Sequence, residues 1–234
     1  MKSTILSVKL VNEELSTLSE SIYDIVILGA GSGGYATALR AAQLGMKVAL
    51  IDGDKVGGTC LHRGCIPTKA YLHAAETAEA VRESAKFGVN STFNGIDMAQ
   101  VGAYRDSVIS GLYKGLRGLL KSRKVDLISG WGHLADANTI EVGGQRITGR
   151  NIVLATGSYS RSIPGLDIGG RIISSDQALQ MNWVPSSVVI LGGGVIGLEF
   201  ASVWRSFGAE VTIIEALPHL ANNEDEAISK QLER

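Results

Sequence analysis

Cysteine occurs twice in the 234 residues, at Cys60 and Cys65. The intervening run is Leu61-His62-Arg63-Gly64, so the two thiols lie five residues apart. Two thiols that close are a candidate redox pair. In a regular helix, five residues rise about 7.5 Å, whereas a disulfide needs Cα atoms within about 6.8 Å. A bonded pair therefore demands a distorted turn, and Gly64 is placed to supply it. Pro67 suits the start of a helix, and thiols at a helix N-terminus ionise more readily. The residues alone leave other readings open. Two free buried cysteines are common in cytosolic proteins. Zinc ligation is the third, but the spacing does not suit it and no second cysteine pair exists, so no metal site is expected.

Two glycine clusters point to a different chemistry. Gly29-Ala30-Gly31-Ser32-Gly33-Gly34 and Gly192-Gly193-Gly194-Val195-Ile196-Gly197 both read GxGxxG. In such a loop the first glycine permits a tight turn, the second lets a pyrophosphate approach the backbone, and the third lets helix and strand pack closely. The phosphates rest on N–H groups at the positive end of the helix. In each copy an acid, Asp52 or Glu215, follows 23 residues after the first glycine and can accept hydrogen bonds from a ribose diol. The candidate binding residues are therefore Gly29, Gly31, Gly33, Gly34 and Asp52 in the first copy. In the second they are Gly192, Gly194, Gly197 and Glu215. A carboxylate at 215 repels a 2′-phosphate and no arginine immediately follows, which favours NAD over NADP. The competing reading is a pair of glycine turns that only help packing.

The elements around these loops must hold them in place. Tyr23–Leu28 is a largely apolar run ending in glycine, as a buried parallel strand does. The alanine-rich stretch from Gly31 to Leu44 reads as a helix, stopped by Gly45. Lys47–Ile51 reads as the next strand. The arrangement recurs as the strand Ser187–Leu191, a helix from Gly194 to Phe207 stopped by Gly208, and the strand Glu210–Ile214. This is a duplicated βαβ unit. Between the copies, helices are expected from Thr68 to about Phe87 and from about Met98 to Lys121. Strands are expected at Val125–Ser129, Thr139–Val142, Gln145–Thr148 and Asn151–Ala155, with Gly143-Gly144 as a hairpin turn. A loop-rich stretch containing Pro164 and Pro185 marks a domain boundary. The expected fold class is α/β, with two Rossmann-like dinucleotide-binding domains, the second incomplete.

Composition excludes several classes. Hydrophobic residues make up 45% and charged residues 19%, which suits a soluble globular chain. A net charge of −1 gives no reason to expect nucleic acid or an anionic membrane as partner. Lys114, Arg117, Lys121, Arg123 and Lys124 read as the wet face and C-terminal end of a helix. No apolar run is long enough to span a bilayer. Glu13, Glu14 and Glu20 speak against a transit peptide. A cytoplasmic protein with a weakly ordered extension over residues 1–21 is expected.

The segment GGTCLHRGCIPTKAYLHAAE resembles the redox-disulfide segment of dihydrolipoamide dehydrogenases, within the pyridine nucleotide-disulfide oxidoreductases. The resemblance runs from about Tyr23 to Arg234. Ala155-Thr156-Gly157 resembles the family's turn past the FAD, and Ser174–Leu179 the segment leading to its NAD domain. It implies residues 22–157 as the first segment of an FAD-binding domain and 158–234 as part of an NAD-binding domain. Gly58, Thr59, Lys69, Thr156, Gly157 and Glu199 join the cofactor-binding set by similarity. The implied electron path runs from dihydrolipoamide to a Cys60–Cys65 disulfide, to FAD and then to NAD⁺. Cys60 is implied as the exchanging thiol, Cys65 as the flavin-side thiol, and Lys69 as a partner of Glu199. The implied partners are lipoyl groups of 2-oxo acid dehydrogenase complexes and a second subunit in a homodimer.

Asp52 stands where many relatives have glutamate, and His62-Arg63 where related reductases have Asn-Val. His62 reads as a loop residue, and His73, His133 and His219 as structural or exposed. Family members are much longer, and their general base lies in a C-terminal domain. The expectation is therefore a truncated chain, not fully active alone. The alternatives are a non-catalytic FAD/NAD-binding fragment and a glutathione- or mercuric-reductase-like relative.

Overall fold

A computed structural model describes residues 22–234. The extension expected over residues 1–21 lies outside the described residues. The chain divides into two compact units, each discontinuous in sequence. The described part of one comprises residues 22–58 and 114–158; the other comprises residues 59–113 and 159–234.

In the first unit, β1 (Tyr23–Leu28), α1 (Ser32–Gln43) and β2 (Val48–Asp52) form the first βαβ copy. Alternation is absent from β1 and β2 because both faces are covered. Val26, Ile27, Ala49 and Ile51 are fully buried, and each isoleucine contributes about 1.5–3 kcal/mol by leaving water. The buried positions of α1 are Gly34, Ala38 and Ala41, spaced four and three apart. Small residues on that face let the helix lie close to Ile25, Ile27, Val48 and Leu50. Gly45, at φ +82°, ends it.

Four further strands complete the sheet: β3 (Asp126–Ser129), β4 (Gly132–Asp136), β5 (Thr139–Val142) and β6 (Gln145–Leu154). The order is β3-β2-β1-β6-β5-β4. The first four strands in that order run parallel, and β6-β5-β4 is an antiparallel meander. The hairpin at Gly143-Gly144 has positive φ at both residues, 57° and 82°, as its two-residue turn requires. The two strands expected over residues 145–155 are one. The first half of β6 pairs with β5 and the second with β1. Gly149 sits at the hand-over, where a Cβ would come within 2.7 Å of Val26. A glycine inside a strand reads as a break, but here it allows a close approach.

α2 (Gly58–Arg63) starts on the last residue of the first unit's opening segment and otherwise belongs to the second unit, where it meets α3 (Cys65–Glu83) at Gly64, and a 3₁₀ turn over Ser84–Phe87 follows. Both α2 and the start of α3 at Cys65 depart from the expectation, which began the helix at Thr68. The long helix α4 (Met98–Ser122) begins in this unit and ends in the first. The second βαβ copy comprises β7 (Ser187–Leu191), α6 (Val195–Phe207) and β8 (Glu210–Ile214). A short α5 (Ser175–Ala178) precedes it and α7 (Glu226–Glu233) follows. Here the buried helix face is large: Phe200, Val203, Trp204 and Phe207 on α6 pack with Tyr71 and Ala75 on α3.

Candidate functional site

The two glycine loops repeat one another at the level of single hydrogen bonds. Gly29 N–H donates to Ile51 O at 2.8 Å, and Gly192 N–H to Ile214 O at 2.8 Å. Both glycines have positive φ, 101° and 107°. A Cβ on Gly34 would lie 1.7 Å from Gly29 O, and one on Gly197 would lie 2.1 Å from Gly192 O. Only glycine lets α1 and α6 start so close to their strands. Gly31 and Gly194 are the N-caps, and neither helix start is capped by a side chain. Uncapped N–H groups at a positive helix end suit a pyrophosphate.

The acids do something their spacing did not reveal. Asp52 accepts from Ala30 N–H at 2.5 Å and from Asp54 N–H at 2.7 Å. Glu215 accepts from Gly193 N–H at 2.6 Å and from Leu217 N–H at 2.8 Å. Each carboxylate thus ties the middle residue of its loop to the end of the following strand. Hydrogen bonds from Leu217 and Gly193 hold the Glu215 carboxyl below the usual glutamate range. Each acid keeps lone pairs for a diol, because a carboxylate has about four acceptor sites.

Further first-unit residues surround loop 29–34. Gly58 has φ +58°, and a Cβ there would lie 2.6 Å from Gly31 Cα. The Gly57-Gly58 pair is therefore a close backbone approach to the loop. Ala155 leaves β6 beside Gly29, whose Cβ would meet Ala155 O at 2.1 Å. Thr156 and Gly157 follow, with Gly157 at φ +76°.

Cys60, Cys65, Lys69 and Glu199 come together in the second unit. Cys60 lies within α2 and Cys65 opens α3. Gly64 between them has φ −136° and ψ −112°, which breaks the helix and returns one cysteine toward the other. A Cβ at Gly64 would lie 3.1 Å from the carbonyl oxygen of Thr59 and 3.4 Å from Cys60 Cα. Thr68 fixes this corner, its Oγ1 donating to Gly64 O at 2.7 Å. The cysteines are free thiols, Cys60 half-buried and Cys65 exposed, so the pair implied as a disulfide stands here as a dithiol. Cys65 is close enough to act on the ionisation of Cys60.

Helix-end ionisation does not dominate at Cys60. Burial and the Cys65 side chain push its thiol above the ordinary value, against the opposing pull of the Cys65 N–H and of Lys69. Lys69, one turn into α3, forms an ion pair with Glu199 on α6. That contact raises the Lys69 pKa and keeps the ammonium charged beside the sulfurs.

A buried polar cluster lies deeper between the helices of this unit. Arg105 on α4 is 8% exposed. It donates to Tyr71 Oη at 3.1 Å and to Leu179 O, and pairs with Asp106 at 2.8 Å. Tyr71 Oη donates to Leu179 O at 2.9 Å. An arginine and a tyrosine 34 residues apart give no pattern by which this could be read in advance. His62 is in α2 rather than a loop, edge-on to Tyr113 at 5.2 Å. His73, His133 and His219 are at the surface beside Glu76, Glu141 and Glu233.

Each unit thus carries a glycine loop of the dinucleotide-binding type tied to its own acid, and the second unit also carries a thiol pair at a helix corner. The family model for pyridine nucleotide-disulphide oxidoreductases matches residues 23–234, and the chain belongs to that family. A dihydrolipoyl dehydrogenase of Bacillus subtilis is 40% identical over 225 residues, covering 90% of this chain and 48% of the relative. Dihydrolipoyl dehydrogenase 3 of Pseudomonas putida is 43% identical over 223 residues, covering 91% and 47%. Among solved structures, the HOCl-induced flavoprotein disulfide reductase of Escherichia coli superposes with a TM-score of 0.72 at 30% identity. That match covers 90% of this chain and 46% of the other. The chain thus spans about half the length of these relatives. The fold is the α/β architecture expected, with two Rossmann-like dinucleotide-binding units. Among the described residues, no helix is long and apolar enough to cross a membrane.

Proposed function

We propose that this chain carries the thiol and dinucleotide sites of a flavoprotein that oxidises dihydrolipoamide with NAD⁺. The observation that carries the reading is the helix break at Gly64 that sets Cys60 and Cys65 on either side of one corner, with the Lys69–Glu199 ion pair one turn further on. Residues 22–157 are assigned to FAD binding and 158–234 to NAD binding. The glycine loops, with uncapped helix starts, fit two pyrophosphates, and the acids fit two ribose diols.

In the oxidised pair, one thiolate of dihydrolipoamide attacks the Cys60 sulfur. The Cys60–Cys65 bond breaks, and Cys65 leaves as a thiolate near the Lys69 ammonium. The second lipoyl thiolate then attacks the mixed disulfide, closing the lipoyl ring and releasing Cys60. The raised Cys60 pKa lets that sulfur retain one of the two substrate protons. The other goes to a base that the family resemblance places outside these residues. FAD, when bound, supplies a two-electron relay between the dithiol and NAD⁺. The lipoyl groups of 2-oxo acid dehydrogenase complexes are the assigned partners, in a cytoplasmic homodimer.

Redox titration of the thiols with FAD bound tests the reading. Two reactive thiols in the reduced protein, none after mild oxidation, and loss of both together on adding lipoamide are expected. Thiols that titrate independently, or that exchange with glutathione disulfide in preference to lipoamide, contradict it.

A further inference from the structure

Trp131 is 81% exposed, although burying an indole is among the largest apolar gains a side chain offers. It lies one residue past Gly130, whose N–H donates to Asp52 O at 2.8 Å. It is also seated with care. A Cβ built on Gly53 would lie 2.3 Å from Trp131 Cδ2, 2.5 Å from Cε2 and 2.8 Å from Cε3. The indole therefore lies over the bare α-carbon of Gly53, next to the ribose acid, with most of its surface open to water.

Position in the sheet says what that surface faces. Ligands of open parallel sheets lie off the carboxyl ends of the strands. Loop 29–34 follows β1, Asp52 ends β2, and Trp131 follows β3 by two residues; the three strands are neighbours in the order β3-β2-β1. Strands are about 4.8 Å apart. A dinucleotide with its pyrophosphate at the β1 loop and its ribose at Asp52 carries its base on toward β3.

We infer that Trp131, seated on Gly53, is the stacking wall for the adenine ring of the dinucleotide held by loop 29–34. The inference rests on the reading of that loop as the FAD site and deepens it. Trp131 binds rather than reacts, and its recognition is of adenine, so ADP alone suffices as a probe.

The full chain, stripped of flavin, is titrated with ADP while tryptophan emission is read, and with FAD while flavin anisotropy is read. ADP quenches emission in the native chain, and Trp131→Phe removes that quench although Trp183 and Trp204 remain. FAD affinity falls about tenfold in Trp131→Ala, in line with the loss of one base–aromatic stack, and is largely restored in Trp131→Phe. Gly53→Ala displaces the indole without removing it and weakens FAD binding similarly. The Gly53→Ala/Trp131→Ala double variant is no weaker than either single variant. Equal FAD affinity in native and Trp131→Ala chains overturns the inference and leaves the FAD reading standing. A native chain that binds no FAD overturns both.

Discussion

Glu215 is bound through both carboxylate oxygens to its own fold, Oε2 to the N–H of Gly193 and Oε1 to that of Leu217. A residue read as a ligand acceptor is thus also a tie on the second glycine loop. Glu215→Gln keeps one acceptor and turns an amide N–H₂ toward a backbone donor. Faster hydrogen exchange at Gly193 and Leu217 is expected, together with weaker NAD⁺ binding. Unchanged exchange at both sites contradicts the tie.

The same carboxylate sets a pH dependence. Its folded-state pKa lies below the ordinary glutamate value of 4.5. A depressed carboxylate contributes stability that is present above the unfolded value and lost as pH falls through the folded one. The loop is therefore expected to hold at neutral pH and to loosen only as pH falls below the ordinary glutamate value and through the lower folded one. Titration of the Glu215 carboxyl followed by NMR checks this, and a midpoint at or above 4.5 contradicts it.

Lys69 and Glu199 form a partly exposed pair, with side chains 60% and 22% accessible. Such pairs contribute about 0–1 kcal/mol, so Lys69→Met is expected to leave stability almost unchanged. Its effect falls on the thiols, since the ammonium opposes the rise in the Cys60 pKa. The pH–rate profile for alkylation of Cys60 should move to higher pH in Lys69→Met. Lys69 itself has a raised pKa, so its contribution is complete below about pH 10 and fades as pH rises through the folded value. An unmoved profile contradicts the coupling.

Tyr71→Phe leaves Arg105 with one fewer acceptor in a buried setting. Leaving a buried donor unsatisfied costs about 1–3 kcal/mol, and at this chain length each kcal/mol lowers Tm by roughly 2–4 °C. Burial also raises the Tyr71 pKa, so the phenol remains a hydrogen-bond donor across neutral pH. A thermal melt with no loss of Tm contradicts the account of this cluster.

Two glycines with similar backbones should respond differently. Gly45 has φ +82° with nothing within 4 Å of a Cβ, so Gly45→Ala costs only the backbone preference, about 1 kcal/mol. Gly58 has φ +58° and Gly31 Cα at 2.6 Å, so Gly58→Ala forces the loop to move. Flavin content should survive the first substitution and fall sharply in the second. Equal flavin in the two contradicts the close approach.

The βαβ copies were legible because their signals are local. An apolar run, a glycine turn and an acid at the next strand end all lie within one short window. The corner at Gly64 was legible for the same reason, since five residues of helix hold two sulfurs too far apart. What escaped depends on distant partners. Residues 145–154 read as two strands because Gly149 looks like a break until Val26 is seen against it. β4 was missed, and its burial pattern lacks a clean apolar alternation. The Arg105–Tyr71–Leu179 cluster joins three separate segments. The raised Cys60 pKa depends on burial, which no local pattern records.

Absorbance of the flavin in the FAD-loaded chain, followed as dihydrolipoamide is added without NAD⁺, bears most directly on the central claim. The account predicts bleaching in the native chain, with close to one reducing equivalent pair taken up per flavin beyond that held by the Cys60–Cys65 pair, and no bleaching in Cys60→Ser. Bleaching that proceeds equally in Cys60→Ser, or a native chain whose flavin stays oxidised, contradicts it.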